Sequence, residues 1–242
     1  MNSSLSAVAT SDAPVVPPSA AVTPLRMWLA LVGLGVLGVF GATPFFLPVL
    51  AKVLSGHKAP LPVGVLLLLQ DVQALVLLVA PAVALGVWAA PRVGLDAPLL
   101  RARLAGERVG KRLLQLLPLA VLAGTVGAAS TLVLSLALKS RLPAGVGDFP
   151  PLPPWVSATS ALYGGIVEEL LTRWGLLSFF ALAFARLGLS PTRGFWAANV
   201  ASALGFGLLH LPGARALHMP LTPLVVGYLV VGKSLVGLLC GW

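Results

Sequence analysis

Glu168-Glu169-Leu170-Leu171-Thr172-Arg173 lies inside one of the most apolar stretches of this chain, and Phe206-Gly207-Leu208-Leu209-His210 follows on a later one. An ionised side chain at bilayer depth costs roughly 3 kcal/mol even on mild insertion scales, so such residues face a protein interior or a wet cavity. On a helix, Glu169 and Arg173 stand four residues apart in the acid-first order that favours an ion pair. That pairing leaves Glu168, stacked near Thr172, as the free carboxylate and a natural general base toward water. His210 shares a face with Phe206, and Asn199, about two turns before Phe206, can also point inward. A Glu and a His brought together from two helices can hold one water between them or share a divalent metal. Ala201, Ser202, Ala203, Gly205 and Gly207 are small enough to let the two helices approach closely.

Other chemistries are poorly served. There is no HExxH or GxSxG motif, and the lone cysteine, Cys240, has no histidine near it in sequence and reads as packing. Gly33-Leu34-Gly35-Val36-Leu37-Gly38 matches the dinucleotide fingerprint formally but follows no strand, so it reads as a close-packing face of an apolar helix, as does Gly237 to Gly241. His57, beside Lys58, reads as interfacial, and His218 as a loop residue. Gln70-Asp71-Val72-Gln73 reads as a helix end or interfacial break, with a transporter cation site as its rival. A transporter would show repeated halves with broken helices, and no internal repeat is visible.

The elements that must position these groups follow from composition. Of 242 residues 58% are hydrophobic and 10% charged, against about a quarter charged in a soluble domain. The expected fold is therefore an all-α polytopic membrane bundle. The rule of about 20 apolar residues per span gives six candidates, at 26–50, 61–90, 112–138, 156–187, 192–211 and 220–242, with Pro81 expected to kink the second. Residues 1–24 read as a disordered tail, 25–155 as the N-terminal helices with a basic loop at 91–111, and 156–242 as the core that carries the chemistry.

The net charge of +9 does not imply nucleic acid, because six of the 16 Lys and Arg fall between Arg92 and Arg112 with no aromatic interleaving. Such a loop is cytoplasmic under the positive-inside rule and suits anionic lipid headgroups. With the N-terminus inside, nine bases collect on the inner side and five on the outer. Arg173 and Lys233, which lie within spans, stand outside that count. The Ala-, Leu- and Arg-rich composition points to a bacterial plasma membrane.

Glu-Glu-x-x-x-Arg on one membrane helix and Phe-x-x-x-His on the next resemble the CAAX protease and bacteriocin-processing family of intramembrane proteases, also called the Abi family. Gly164-Gly165 before the glutamates, Ser202 to Pro212 around the histidine, and Pro91 to Leu95 before the basic loop fit as well. The resemblance covers roughly 156–242, with weaker support from 91 onward. It implies an intramembrane endopeptidase in which Glu168 activates water and His210 orients that water or binds a metal. It further implies that Glu169 and Arg173 support Glu168 and that Phe206 packs the second motif. Zinc, held by Glu168 and His210, is implied at the family level alone, and the implied partners are membrane lipids and a peptide or protein substrate. The family carries one more motif, a His followed four residues later by Asn or a similar residue, on a further helix. The chain as given reaches Trp242 before it, so a further C-terminal helix is expected. The alternative is a catalytically inactive membrane protein of the same fold, acting in immunity, scaffolding or regulation.

Overall fold

The computed structural model describes residues 22–54, 59–144, 146 and 152–241. The tail expected at 1–24 falls almost wholly outside the described residues, and so does His57. Among the described residues the chain is helical, without strands. We number the helices α1 (Pro24–Gly41), α2 (Thr43–Val53), α3 (Val63–Val93), α4 (Pro98–Leu104), α5 (Gly110–Leu138), α6 (154–186), α7 (Pro191–Leu208), α8 (Leu211–Ala216) and α9 (Pro223–Cys240). By length and apolar composition, α1, α3, α5, α9 and the α7–α8 run Pro191–Ala216 can each cross a membrane. The helix bearing the glutamates, α6, is not among these five, although its 154–186 run is as long as the others.

Proline and hydroxyl chemistry sets many of the boundaries. Helix α1 starts on Thr23, whose Oγ1 accepts from the Arg26 amide, and α9 starts on Thr222, whose Oγ1 accepts from the Val225 amide. Proline occupies the first turn of α1, α2, α4, α7 and α9, where its missing N–H costs nothing. The first expected span, 26–50, is not one helix. Pro44 cannot donate to the turn before it, so α1 closes at Ala42 and α2 sets off as a separate short helix. In α3 the disruption expected at Pro81 takes the form of a π-helical turn, Leu75–Val79, where the Ala80 amide reaches back to the Leu75 carbonyl.

Helix α6 departs furthest from the regular α-helix that the sequence suggested. Tyr163–Glu168 and Leu170–Leu177 are wound as π-helix, so the region that holds the charged residues is wider than an α-helix. This helix is also the centre of the bundle. Val167 and Leu170 meet Met27, Leu31 and Val39 of α1 and Val79 and Val83 of α3 in one apolar cluster. Indole donors stitch the same layer, Trp28 Nε1 to the Ala80 carbonyl and Trp174 Nε1 to the Val83 carbonyl. On its other side α6 packs against α7, α7 against α9, and α9 against α5. The window of α5 that would cross a membrane is only 6% buried, as expected of a helix facing lipid.

The stretch around Asp71 is the last α-helical turn before the π-helical Leu75–Val79. It is not interfacial, since Asp71 is 3% exposed and accepts a 3.0 Å hydrogen bond from Thr43 Oγ1 of α2. A buried carboxylate with a hydroxyl donor from the next helix is what hydrocarbon surroundings demand. At one end of the bundle, Arg92 and Arg186 both lie over the Trp88 ring. There too Arg26 Nη2 donates to the Leu104 carbonyl. The basic loop is further ordered by Asp96, paired with Arg101 at 2.8 Å. The hydrogen bond from that guanidinium holds the Asp96 carboxyl below the usual carboxylate range, against some desolvation.

Close approach between α7 and α9 rests on glycine. A Cβ on Gly207 would meet the Val230 carbonyl oxygen at 2.6 Å and Ser234 Oγ at 2.8 Å, whereas one on Gly33 would meet nothing within 4 Å. We expect Gly207→Ala to force the helices apart and destabilise the protein by about 1–3 kcal/mol. Gly33→Ala should be neutral or slightly stabilising through helix propensity. Thermal unfolding of the two variants in detergent checks the pair, and equal effects would contradict the packing described.

Candidate functional site

The adjacent glutamates diverge toward different neighbours. Glu168 turns toward α7, where its Oε1 lies 3.6 Å from His210 Nε2. Glu169 turns toward Arg173, whose Nε lies 3.5 Å from Glu169 Oε2. The pairing read from the four-residue spacing is therefore present, and so is the convergence of Glu168 with His210.

His210 sits at the turn between α7 and α8 rather than on the regular span, and its ring orientation is set locally. Its Nδ1 is 2.8 Å from the Phe206 carbonyl oxygen. A carbonyl only accepts, so Nδ1 carries a proton, and in the neutral imidazole Nε2 presents its lone pair toward Glu168. The Phe206 ring meets the imidazole edge to face, with centroids 4.8 Å apart and planes at 88°. Phe206 thus serves both as a packing residue and, through its carbonyl, as the holder of the imidazole.

Arg173 binds three helices together. Its Nη2 donates to the Gly237 carbonyl of α9 at 3.1 Å, its Nη1 to Thr172 Oγ1, and its guanidinium lies 5.2 Å above the Phe206 ring of α7. Only Nε, buried and facing Glu169, lacks a hydrogen bond. Thr172 Oγ1 in turn donates to the Glu168 carbonyl at 2.6 Å, and Ser202 Oγ of α7 donates to the Thr172 carbonyl at 2.7 Å. These hydroxyls satisfy backbone groups of a helix whose ladder is irregular, a common arrangement where membrane helices are distorted. Thr172 and Ser202 are parts of the site that spacing alone did not single out. Each is almost fully buried, and a hydroxyl inside an apolar span was the available signal.

Asn199 is buried as expected, but it bonds the Leu238 carbonyl at the end of α9 and belongs to helix packing rather than to the Glu168–His210 pair. His218 lies exposed in a turn with φ of 57°, apart from the site. Cys240, read as a packing residue, is instead exposed and lines a cavity of about 410 Å³. That cavity is bounded by Leu31 and Leu34 of α1, Leu95 and Asp96 of the basic loop, and Glu169 and Arg173 of α6. It therefore opens on the Glu169–Arg173 side of α6, not on the face where Glu168 meets His210.

Among the described residues no three His, Cys, Asp or Glu side chains converge as a metal site. Catalytic zinc takes three protein ligands, and Glu168 with His210 supplies two. The donor set present does not by itself fit the zinc implied by resemblance.

Residues 150–242 match the protein family described as Type II CAAX prenyl endopeptidase Rce1-like. This region, well under half of the chain, is similar to that family. At the family level the activity is that of a CAAX-type intramembrane protease, and the matched region contains both glutamates, Arg173 and His210. The apolar helices around it make the chain an integral membrane protein. Neither the curated proteins nor the solved structures yield a match to this chain.

Because Glu169 and Arg173 neutralise each other in an apolar setting, breaking one member should cost more than removing both. We expect Arg173→Met to lower the unfolding temperature markedly and Glu169→Gln in that background to restore part of the loss, with a coupling energy of about 1–3 kcal/mol. A double-mutant cycle in detergent measures it, and additive losses would mean that the pair does not act as a unit.

Proposed function

We propose that this protein hydrolyses a peptide bond of a membrane-associated substrate with a water held between Glu168 and His210. The observation that carries this reading is the 3.6 Å separation of Glu168 Oε1 and His210 Nε2, two acceptors when the imidazole is neutral. That separation is too long for a direct hydrogen bond. A water about 2.8 Å from both atoms can donate one proton to each, in the usual range for such bonds. Its oxygen lone pair is then left to attack a carbonyl carbon.

Glu168 takes one proton from the attacking water and returns it to the amide nitrogen as the C–N bond breaks, giving a carboxylic acid, which keeps the water's second proton, and an amine. Its side chain is 26% exposed, so water has access without the carboxylate losing its apolar setting. His210, held by the Phe206 carbonyl, orients the same water. The ion pair of Glu169 with Arg173 fixes the helix turn from which Glu168 projects, and it removes a competing negative charge.

The substrate class proposed is a prenylated or otherwise membrane-bound peptide. The basic loop and the N-terminus lie on the cytoplasmic side in this reading. The clustering of Arg26, Arg92, Arg101 and Arg186 at one end of the bundle supports that orientation.

Glu168→Ala and His210→Ala should each reduce cleavage of a fluorogenic prenylated peptide by about 100- to 10,000-fold, the usual worth of a positioned acid–base group. Both variants should still insert in the membrane. Full activity in Glu168→Ala would sink the assignment of the base.

A further inference from the structure

One charge inside the spans has no role in the site so far. Lys233 lies in the interior of α9, a helix with mean hydropathy of 1.9 over its span. It is half-buried and makes no ion pair within 4 Å among the described residues. An ammonium at that depth is a functional-site residue by default.

Its direction can be read from its neighbours. Val230, three residues before it, abuts Gly207 of α7. Gly237, four residues after it, abuts Ala203 and accepts the bond from Arg173. Positions three and four apart share a helix face, so Lys233 lies on the same stripe of α9 that meets α6 and α7. Ser234, the next residue, donates to the Ala203 carbonyl at 3.0 Å, which fixes the register. Helical side chains also lean toward the N-terminus, which carries the Lys233 chain back toward the level of Val230 and Gly207. His210 is one turn beyond Gly207, and its imidazole lies within the electrostatic field of Lys233 as well as that of Glu168.

The charges then balance. Glu169 is matched by Arg173 across 3.5 Å, which leaves Glu168 facing the His210 imidazole, without a fixed cation of its own. Lys233 is the cation left to balance Glu168.

We propose that Lys233 is a fourth charged residue of the site, a catalytic cation that faces the Glu168–His210 pair from α9 and holds the negative charge developing on the peptide carbonyl oxygen. This role rests on the hydrolytic reading above. In the resting protein Lys233 offsets the charge of Glu168. During attack the Glu168 carboxylate becomes neutral by taking a proton, and the new negative charge appears on the substrate oxygen. A cation with a long, flexible stem can follow the charge from one to the other.

Two measurements on the full chain in membranes test the assignment. The first is activity on the fluorogenic prenylated peptide. Lys233→Met should lower kcat by about 100-fold with KM little changed, as the loss of one oxyanion partner does. Lys233→Arg, which keeps the charge, should recover most of that loss. The second needs no turnover. A membrane-permeant carbodiimide should join the Lys233 amine to the Glu168 carboxyl, read by mass spectrometry of linked peptides, and Glu168→Gln should remove the link. An unlinked Lys233, or a Lys233→Met variant with unchanged kcat, overturns this role alone. A parent protein that cleaves no peptide overturns the hydrolytic reading and this role with it, while a Lys233–Glu168 link would still establish that the two charges are close.

Discussion

A guanidinium inside an apolar bundle has to be satisfied by protein groups, and Arg173 is satisfied by three helices at once. Its contacts reach the Gly237 carbonyl of α9, the Phe206 ring of α7 and the Glu169 carboxylate of its own helix. The same requirement positions Glu168 and His210. Arg173 over Phe206 fixes the residue whose carbonyl holds His210, and Arg173 against Glu169 fixes the turn that precedes it by one residue with Glu168. A change at this guanidinium is therefore felt at the Glu168–His210 gap without touching either group. The small residues serve the same end, because only glycine at 207 and 237 lets α7 and α9 come close enough for Arg173 to span them.

The π-helical winding of α6 has a related meaning. A regular helix would spend the carbonyls near Glu168 and Thr172 on its own ladder. Here side-chain hydroxyls take part of that load, Thr172 on the Glu168 carbonyl and Ser202 on the Thr172 carbonyl. Widened turns of this kind recur at functional sites. In this protein the glutamates and the arginine all lie within the widened region or at its joint.

Much of this was legible in the sequence because the chemistry is sparse. In an apolar background, Glu168, Glu169, Arg173 and His210 are conspicuous, and helical spacing correctly paired Glu169 with Arg173. The apolar runs also gave the all-helical bundle. Other features were not legible, for physical reasons that differ. Hydropathy does not register the break at Ala42, because Pro44 interrupts a backbone bond and not an apolar run. The burial of Asp71 depends on Thr43 arriving from another helix, which no local pattern encodes. The π-turns arise from tertiary contacts of α6, and spacing rules that assume an α-helix are blind to them. Thr172 and Ser202 were visible only as hydroxyls in apolar spans, and their work on the backbone appears once the ladder is seen to be irregular.

The charges inside the bundle also constrain one another. An apolar interior tolerates a carboxylate that has a donor or a counter-ion, and here each solution is used once. Asp71 takes a hydroxyl, and Glu169 takes a guanidinium. Glu168 takes neither at bonding distance; it lies 3.6 Å from the His210 ring, whose Nε2 in the neutral imidazole does not donate to it. A carboxylate in that state favours a water, which can donate one proton to it and one to the imidazole. Under the proposed mechanism, that incomplete satisfaction of Glu168 is what keeps the nucleophilic water in place, and its better-satisfied neighbours steady the bundle around it.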